Sequence, residues 1–328
     1  MSEMLNLSNI RAAAKRISAH AFRTPIMTSC TMDKKAGRRL YFKCENLQRT
    51  GSFKFRGAIN AVSEMAVESR PVVVTHSSGN HAQAVSLAAN LNGLQAVVVM
   101  PRTAPHCKKD AVLGYGAHVV DCEPTEAGRE NATNLEIAKL TAGGRIGEFV
   151  SSSQDHRVIA GQGTVALEML EDLQQLDGII APVGGGGLLA GVALAAKSLD
   201  PHCDIKVIAA EPVNAADCYN SVRSGHRQPL TSVPQTVADG LKTNVGTVTW
   251  PYIKKYVDDV VLVSEQEIKD AMQLVWERMK LVIEPSAAVA VAAALTQQFK
   301  EQHSKLQHVG VILSGGNCDL NKLPWIHM

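Results

Sequence analysis

The feature that most constrains this chain is an alternation of short apolar runs with amphipathic stretches. Val72-Val73-Val74-Thr75, Ala96-Val97-Val98-Val99-Met100 and Ala117-His118-Val119-Val120 read as buried strands. His81 to Leu91, Pro105 to Leu113 and Thr125 to Leu140 read as the helices between them. A second series follows: a helix over 164–174, a strand from Gly178 to Val183, a helix from Leu188 to Leu199, a strand from Ile205 to Ala209 and a late strand from Val309 to Leu313. Strand-like runs alternating with helical periods predict parallel sheets with helices on their faces. Upstream, Ser8 is expected to cap a helix carrying Ile10, Ala13, Ala14 and Ile17, and Thr24-Pro25 to end it. Leu40 to Cys44 reads as a strand, and Arg56 to about Met65 as a helix. At 328 residues the chain is long enough for two domains. The expected fold class is α/β with two open parallel-sheet domains. The larger comprises 1–71 and 149–328, and a smaller, mobile one, 72–148, is inserted in it. The connection at about 221–248 is richer in glycine and proline.

Composition narrows the partners. With 45% apolar and 20% charged residues, the chain is globular rather than disordered. A formal net charge of +2, scattered Lys and Arg, and few aromatics give no basic or stacking surface for nucleic acid and no case for a membrane surface. The N-terminus lacks the basic start and apolar core of a signal peptide. One uncharged run, Gly178 to Ala196, approaches spanning length, but Pro182 and four glycines interrupt it, so strand, loop and helix is the better reading. The seven cysteines (Cys30, Cys44, Cys107, Cys122, Cys203, Cys218, Cys318) form no C-x-x-C pair, which places the chain in a reducing cytoplasm. Histidines such as His106, His118 and His202 have no metal-ligand spacing, and Trp250 and Trp276 read as packing residues.

The chemistry lies in a few segments. In Thr50-Gly51-Ser52-Phe53-Lys54-Phe55-Arg56-Gly57 a lysine sits between two aromatics. Burial of its stem would disfavour the ammonium, and a neutral lysine is a nucleophile able to form a Schiff base. Taken alone, such a lysine more often snorkels from a helix start. Gly184-Gly185-Gly186-Gly187, between a β run and a helix, lets successive N–H groups turn onto an anion, a phosphate above all. It is neither a P-loop nor G-x-G-x-x-G. Ser77-Ser78-Gly79-Asn80-His81 follows a strand and opens a helix, a pocket suited to a carboxylate, although serine and asparagine also serve as plain caps. Ser314-Gly315-Gly316-Asn317 ends the late strand, where α/β ligand crevices lie. Glu211, Ala215 and Asp217 could hold a hard divalent cation or be surface acids that hold nothing.

Together these segments resemble the fold-type II pyridoxal-phosphate enzymes (tryptophan synthase β-like), most closely the eukaryotic serine racemases, from about residue 7 to residue 322. The resemblance implies that Lys54 forms the Schiff base with pyridoxal 5'-phosphate, beside Phe53, and that Gly184, Gly185, Gly186 and Gly187 cup its phosphate. Asn80 would touch the ring oxygen and Ser314 face the pyridine nitrogen. Ser77, Ser78, Gly79, Asn80 and His81 would receive the substrate carboxylate, with Ser78 as acid–base group opposite Lys54. A Mg²⁺ (or Ca²⁺ or Mn²⁺) site is implied at Glu211, the Ala215 carbonyl and Asp217. An allosteric site for an adenine nucleotide such as ATP or AMP is implied at Thr50, Lys108, Lys280 and Asn317, with Arg49 where the family carries a lysine. Homodimers are expected, and dehydratase activity beside racemisation.

One departure bears on the substrate. Where serine racemases carry His-Pro-Asn, this chain has Ser151-Ser152-Ser153, which resembles the animal aspartate racemases of the same family. Three hydroxyls and loop N–H groups could receive a second carboxylate, with Arg157 or His156 adding charge. The plainer reading is a hydrated hinge. Aspartate racemisation is therefore the expected activity, and serine racemisation with dehydration the alternative. A non-catalytic amino-acid or nucleotide sensor on the same fold is the remote one.

Overall fold

The computed structural model describes residues 4–65, 70–104, 106–199 and 204–325. Pro105, His202, Cys203 and the side chain of Cys107 lie outside them. Strands β1 (Ile26–Met27) and β2 (Arg39–Cys44) begin a larger sheet. β3 (Val72–His76), β4 (Ala96–Pro101), β5 (His118–Cys122) and β6 (Gly147–Phe149) form a smaller one. β7 (Gly178–Pro182), β8 (Lys206–Pro212), β9 (Asp259–Val263) and β10 (His308–Leu313) complete the larger. The sheet orders are β1-β2-β10-β7-β8-β9 and β5-β4-β3-β6. Every pairing is parallel except the antiparallel edge pair β1/β2. The valine, isoleucine and alanine runs of β3, β4, β7, β8 and β10 are buried along both faces, as parallel strands between helices require. β5, expected to be buried, is instead an edge strand with His118 exposed and Val119 and Val120 half-buried, because it has a neighbour on one side only.

The helices are, in chain order, α1 (Leu7–Ile17), α2 (Cys30–Ala36), α3 (Lys54–Glu64), α4 (Asn80–Leu91), α5 (His106–Gly114), α6 (Glu126–Ala142) and α7 (His156–Asp172). Then come α8 (Gly187–Leu199), α9 (Asp217–Ser224), α10 (Trp250–Tyr256), α11 (Glu265–Met279), α12 (Pro285–Leu295) and α13 (Gln297–Gln302). Met32, Ile268, Met272, Ala288 and Phe299 carry α2 and α11–α13 onto one face of the larger sheet. Ile10, Val165, Leu189 and Ile253 carry α1, α7, α8 and α10 onto the other. On the smaller sheet, α3, α4 and α5 cover one face and α6 the other.

Several expectations shift. Asn6, in a capping box with Asn9, caps α1 in place of Ser8, whose hydroxyl donates to Asn6 (2.6 Å). The helix ends at Ile17, well before Thr24-Pro25. α3 starts at Lys54 rather than Arg56. α7 begins eight residues ahead of the expected position because Asp155 caps it through Arg157 N–H. The run 178–196 resolves into β7, the glycine loop and α8, and among the described residues no helix is long and apolar enough to cross a membrane. β6, β9, α11 and α12 had no counterpart in the sequence reading. α12 is apolar all round, so it lacks the one-sided period that marks a surface helix.

Candidate functional site

In parallel sheets the ligand crevice opens beyond the carboxyl ends of the strands. Here β3 runs into Ser77–Asn80, β6 into Ser151–Ser153, β7 into Gly184–Gly187 and β10 into Ser314–Asn317. The segment that ends in Lys54 lies along the last of these. Phe53 N–H donates to the Ser314 carbonyl (3.0 Å), Gly316 N–H to that of Gly51 (2.9 Å), and Ser52 bridges to Gly315. Lys54 then opens α3, and its Nζ donates to the Ser152 carbonyl (3.4 Å) and lies 5.0 Å from the centre of the Phe53 ring. Burial pulls its pKa down to about 8, against a smaller opposing pull from Glu284. The dry, aromatic-flanked lysine expected from Phe-Lys-Phe is therefore present, although the second phenylalanine, Phe55, turns into the core of the smaller sheet.

The glycine loop is a cradle. Gly184 and Gly185 are half-buried, and Gly186 and Gly187 are buried. Gly186 has φ +85°, and a Cβ there would come within 2.8 Å of Thr249 and Ile253. A Cβ on Gly185 would stand 2.5 Å from the Ser153 hydroxyl. Among the described residues the N–H groups of Gly184, Gly185 and Gly186 find no acceptor, and α8 adds its positive end. This donor set lies against Ser152 and Ser153, whose segment also holds the half-buried Lys54 amine of lowered pKa, and the combination fits a phosphorylated aldehyde.

Asn80 is the N-terminal residue of α4, and its Nδ2 donates to both Glu284 oxygens (2.9 and 3.1 Å). Asn317 donates to Asn80 Oδ1 (2.9 Å) and to the Thr50 carbonyl (2.7 Å). Glu284 is 4% exposed, and burial first, then Asp239, raises its pKa to about 7. The sequence reading missed it, since a lone glutamate before Pro285 carries no local signal. Gly79 N–H donates to the Ser77 hydroxyl (3.2 Å), and Ser78 is half-buried at the turn. His81 is 2% exposed and donates from Nε2 to the Val150 carbonyl (3.0 Å). Burial, with Lys54 adding to it, lowers its pKa to about 3, so it brings no positive charge to a carboxylate.

The serine triplet is half-buried. The Ser151 hydroxyl accepts from Gln154 N–H (3.1 Å), Ser152 offers its carbonyl to Lys54, and Ser153 lies against Gly185. The Arg157 guanidinium is taken up by Asp155 (2.8 Å) and by Glu148, and hydrogen bonds to those carboxylates raise its pKa. Its charge is matched within the protein instead of standing open. His156 meets Tyr252 edge-on.

Glu211 and Asp217 are buried together. Glu211 accepts from Cys218 and Tyr219 N–H (both 2.9 Å), and Asp217 from Val245 N–H (2.7 Å). Burial raises both, Asp217 to about 6. Ala215 is buried in the intervening turn. Among the described residues no three His, Cys, Asp or Glu side chains gather as a metal site, so a cation here would rest on this pair, a carbonyl and water. Of the residues expected to hold a nucleotide, Thr50 and Asn317 touch, Lys108 pairs with Asp239 (2.9 Å), and Lys280 caps α11 at φ +58°. Arg49 stacks over Phe22.

The sequence profile described as "Pyridoxal-phosphate dependent enzyme" matches residues 17–315. The human serine racemase is 47% identical over 327 residues, covering 98% of this chain and 94% of that protein. A β-hydroxyaspartate dehydratase of Paracoccus denitrificans is 45% identical over 315 residues, 96% of each. The crystal structure of a pyridoxal 5'-phosphate-dependent aspartate racemase superposes with a TM-score of 0.92 at 42% identity, covering 99% of this chain and 100% of that one. With a profile match over most of its length, and with a half-buried lysine of lowered pKa joined through Ser152 and Ser153 to a glycine cradle, the chain belongs to the pyridoxal-phosphate dependent enzymes.

Proposed function

We propose that this chain is a pyridoxal-phosphate-dependent amino-acid racemase that interconverts L- and D-aspartate, with serine racemisation and dehydration as lesser activities. The observation that carries the reading is Lys54, an enclosed amine of lowered pKa hydrogen-bonded to the middle of the serine triplet. Likeness to the aspartate racemase structure supports it, and likeness to the β-hydroxyaspartate dehydratase supports the elimination.

Pyridoxal phosphate, when bound, supplies the electron-withdrawing ring that acidifies the Cα–H of an amino acid joined to it. Gly184–Gly187 would hold its phosphate, Phe53 and Asn80 would line its site, and Ser314 would serve its ring nitrogen. Lys54 Nζ takes the Cα proton on one face, a task suited to an amine whose pKa is about 8. The Ser78 hydroxyl returns a proton on the other face, and its neighbours must tune it, because a serine is a weak acid–base group. Ser77 to His81 receive the α-carboxylate at the start of α4. Ser151–Ser153 receive the second carboxylate by hydroxyl and N–H donors, with the Arg157 charge already matched. Glu284 and Asn317 hold the Asn80 amide in one orientation.

Glu211, Asp217 and the Ala215 carbonyl form the Mg²⁺ (or Ca²⁺ or Mn²⁺) site, a reading supported by two buried carboxylates with raised pKa values. Thr50, Lys108, Lys280 and Asn317 form an allosteric adenine-nucleotide site, supported by the contact of Thr50 and Asn317 beside Asn80. Residues 72–148 form a mobile domain inserted in a larger one, a reading supported by the two separate sheets. The enzyme works as a cytoplasmic homodimer. Free Cys30, Cys44, Cys122, Cys218 and Cys318 fit a reducing compartment, and sedimentation and cell fractionation test the two statements.

Product analysis decides the substrate. The holoenzyme should convert L-aspartate to D-aspartate faster than it converts L-serine to D-serine and pyruvate. Replacement of Ser151–Ser153 by His-Pro-Asn should shift that ratio toward serine. Faster turnover of L-serine in the unaltered enzyme would support the second reading, a serine racemase with dehydratase activity, which likeness to the human serine racemase favours. A Lys54→Ala variant that kept its function would point to a sensor.

A further inference from the structure

We infer that Thr249 is a positioning residue that aims the glycine loop at its anion. Thr249 precedes α10 as its N-cap, yet its side chain makes no capping bond. It is fully buried, and its hydroxyl donates to the Gly185 carbonyl (2.8 Å). The same oxygen receives Gly246 N–H (3.2 Å), and Gly246 N–H also donates to Thr249 Oγ1 (3.0 Å). The Gly246 carbonyl is a second candidate acceptor at 3.2 Å, but a hydroxyl has one proton and Gly185 is nearer. In a trans peptide the carbonyl and the following N–H point opposite ways. Holding the Gly185 carbonyl toward the 246–249 turn therefore turns the Gly186 N–H away from that turn, and among the described residues that N–H has no acceptor. Gly186 completes the geometry at φ +85°, with room for no side chain beneath it because Thr249 and Ile253 occupy that space. The turn is itself braced from behind, where Val245 N–H donates to Asp217 (2.7 Å). A buried donor that forgoes its helix cap to fix one loop carbonyl is what a pre-set anion cup requires.

The inference rests on the reading of Gly184–Gly187 as the phosphate cup, and pyridoxal, which lacks the phosphate, separates the two. Apoprotein is titrated with pyridoxal phosphate and with pyridoxal, following absorbance. The unaltered protein should prefer the phosphorylated form. Thr249→Val, which keeps the shape and loses the donor, should weaken pyridoxal phosphate roughly five- to tenfold, the size of one buried hydrogen bond, and leave pyridoxal unchanged. Thr249→Ser should restore the preference. If the valine variant does not fold by circular dichroism, Thr249→Cys, a weak donor, takes its place with the same expected selectivity. Equal weakening of both ligands, or of neither, overturns the role of Thr249 alone. An unaltered protein with no preference for the phosphate overturns the cup, and the inference with it.

Discussion

At the scale of single residues, two ionisable groups with desolvated heads set the character of the site, Lys54 half-buried and Glu284 buried. Lys54 has a pKa of about 8 because its amine is desolvated. Capture of pyridoxal phosphate by the apoprotein needs the neutral amine, so its rate should climb with pH to a midpoint near 8 rather than the 10.5 of an exposed lysine. Stopped-flow absorbance over pH 6–11 measures that midpoint, and one above 10 would contradict an enclosed Lys54. Glu284 is the reverse case, a carboxyl raised to about 7 from 4.5. Its folded pKa exceeds its unfolded one, so the folded state holds the proton more tightly. The contribution is therefore fully present below pH 4.5 and lost as pH rises through 7. Glu284→Gln should then stabilise the apoprotein by on the order of 2 kcal/mol at pH 8 and change little at pH 5. Thermal unfolding at the two pH values checks this. Lys54 could be singled out from its aromatic neighbours in the sequence. Glu284 could not, because its meaning comes from Asn80, two hundred residues away.

At the scale of elements, α3 is what joins the site to the frame. It carries Lys54 at its first turn and packs its Phe55, Ala58, Ile59 and Val62 into the apolar layer of the smaller sheet. Its other side meets α7 so closely that a Cβ on Gly161 would lie 2.6 Å from Arg56 O and Gly57 Cα. Gly161→Ala should therefore cost about 1–3 kcal/mol by overpacking, read as a lower midpoint in urea. Two residues after Lys54, Arg56 is fully buried between Glu45 (2.8 Å) and Glu168 (2.6 Å), and Lys43 completes the cluster at 2.6 Å from Glu168. Arg56→Met would leave Glu45 without its main partner and should cost about 3–5 kcal/mol. Gly57 and Arg56 belong to the Ser-Phe-Lys-x-Arg-Gly segment, so the motif records packing as well as chemistry. A helix was expected from sequence here, over Arg56 to about Met65, and it starts two residues earlier at Lys54. Its place between the smaller sheet and α7 was not expected, since an apolar stripe does not name its partner.

At the scale of the whole molecule, the crevice lies where the strand ends of two sheets face each other. Lys108 of α5 pairs with Asp239, whose turn abuts Gly184, so the smaller sheet's helix reaches the loop that backs the cradle. The buried Glu211/Asp217 pair sits behind the same loop through Val245. Mg²⁺ should raise the unfolding temperature of the unaltered protein, by an amount equivalent to about 2.7 kcal/mol at a hundredfold excess over its Kd, and chelation should reverse it. Asp217→Asn should abolish the shift, and an unchanged shift in that variant would remove the cation from this site. The alternation of β-branched runs and helical periods determined by itself that the sheets are parallel, because those patterns report local geometry and burial along the chain. The glycine run indicated an anion site and the lysine between aromatics a candidate Schiff-base amine, since each is a short contiguous segment, while the class of cofactor came from the resemblance of the combined segments to a known family. Tertiary structure alone decided that Thr249 braces Gly185, that Arg157 is already paired and that Glu284 grips Asn80. Those contacts join residues far apart in the chain, and only the packing of two sheets around one crevice sets which of them meet.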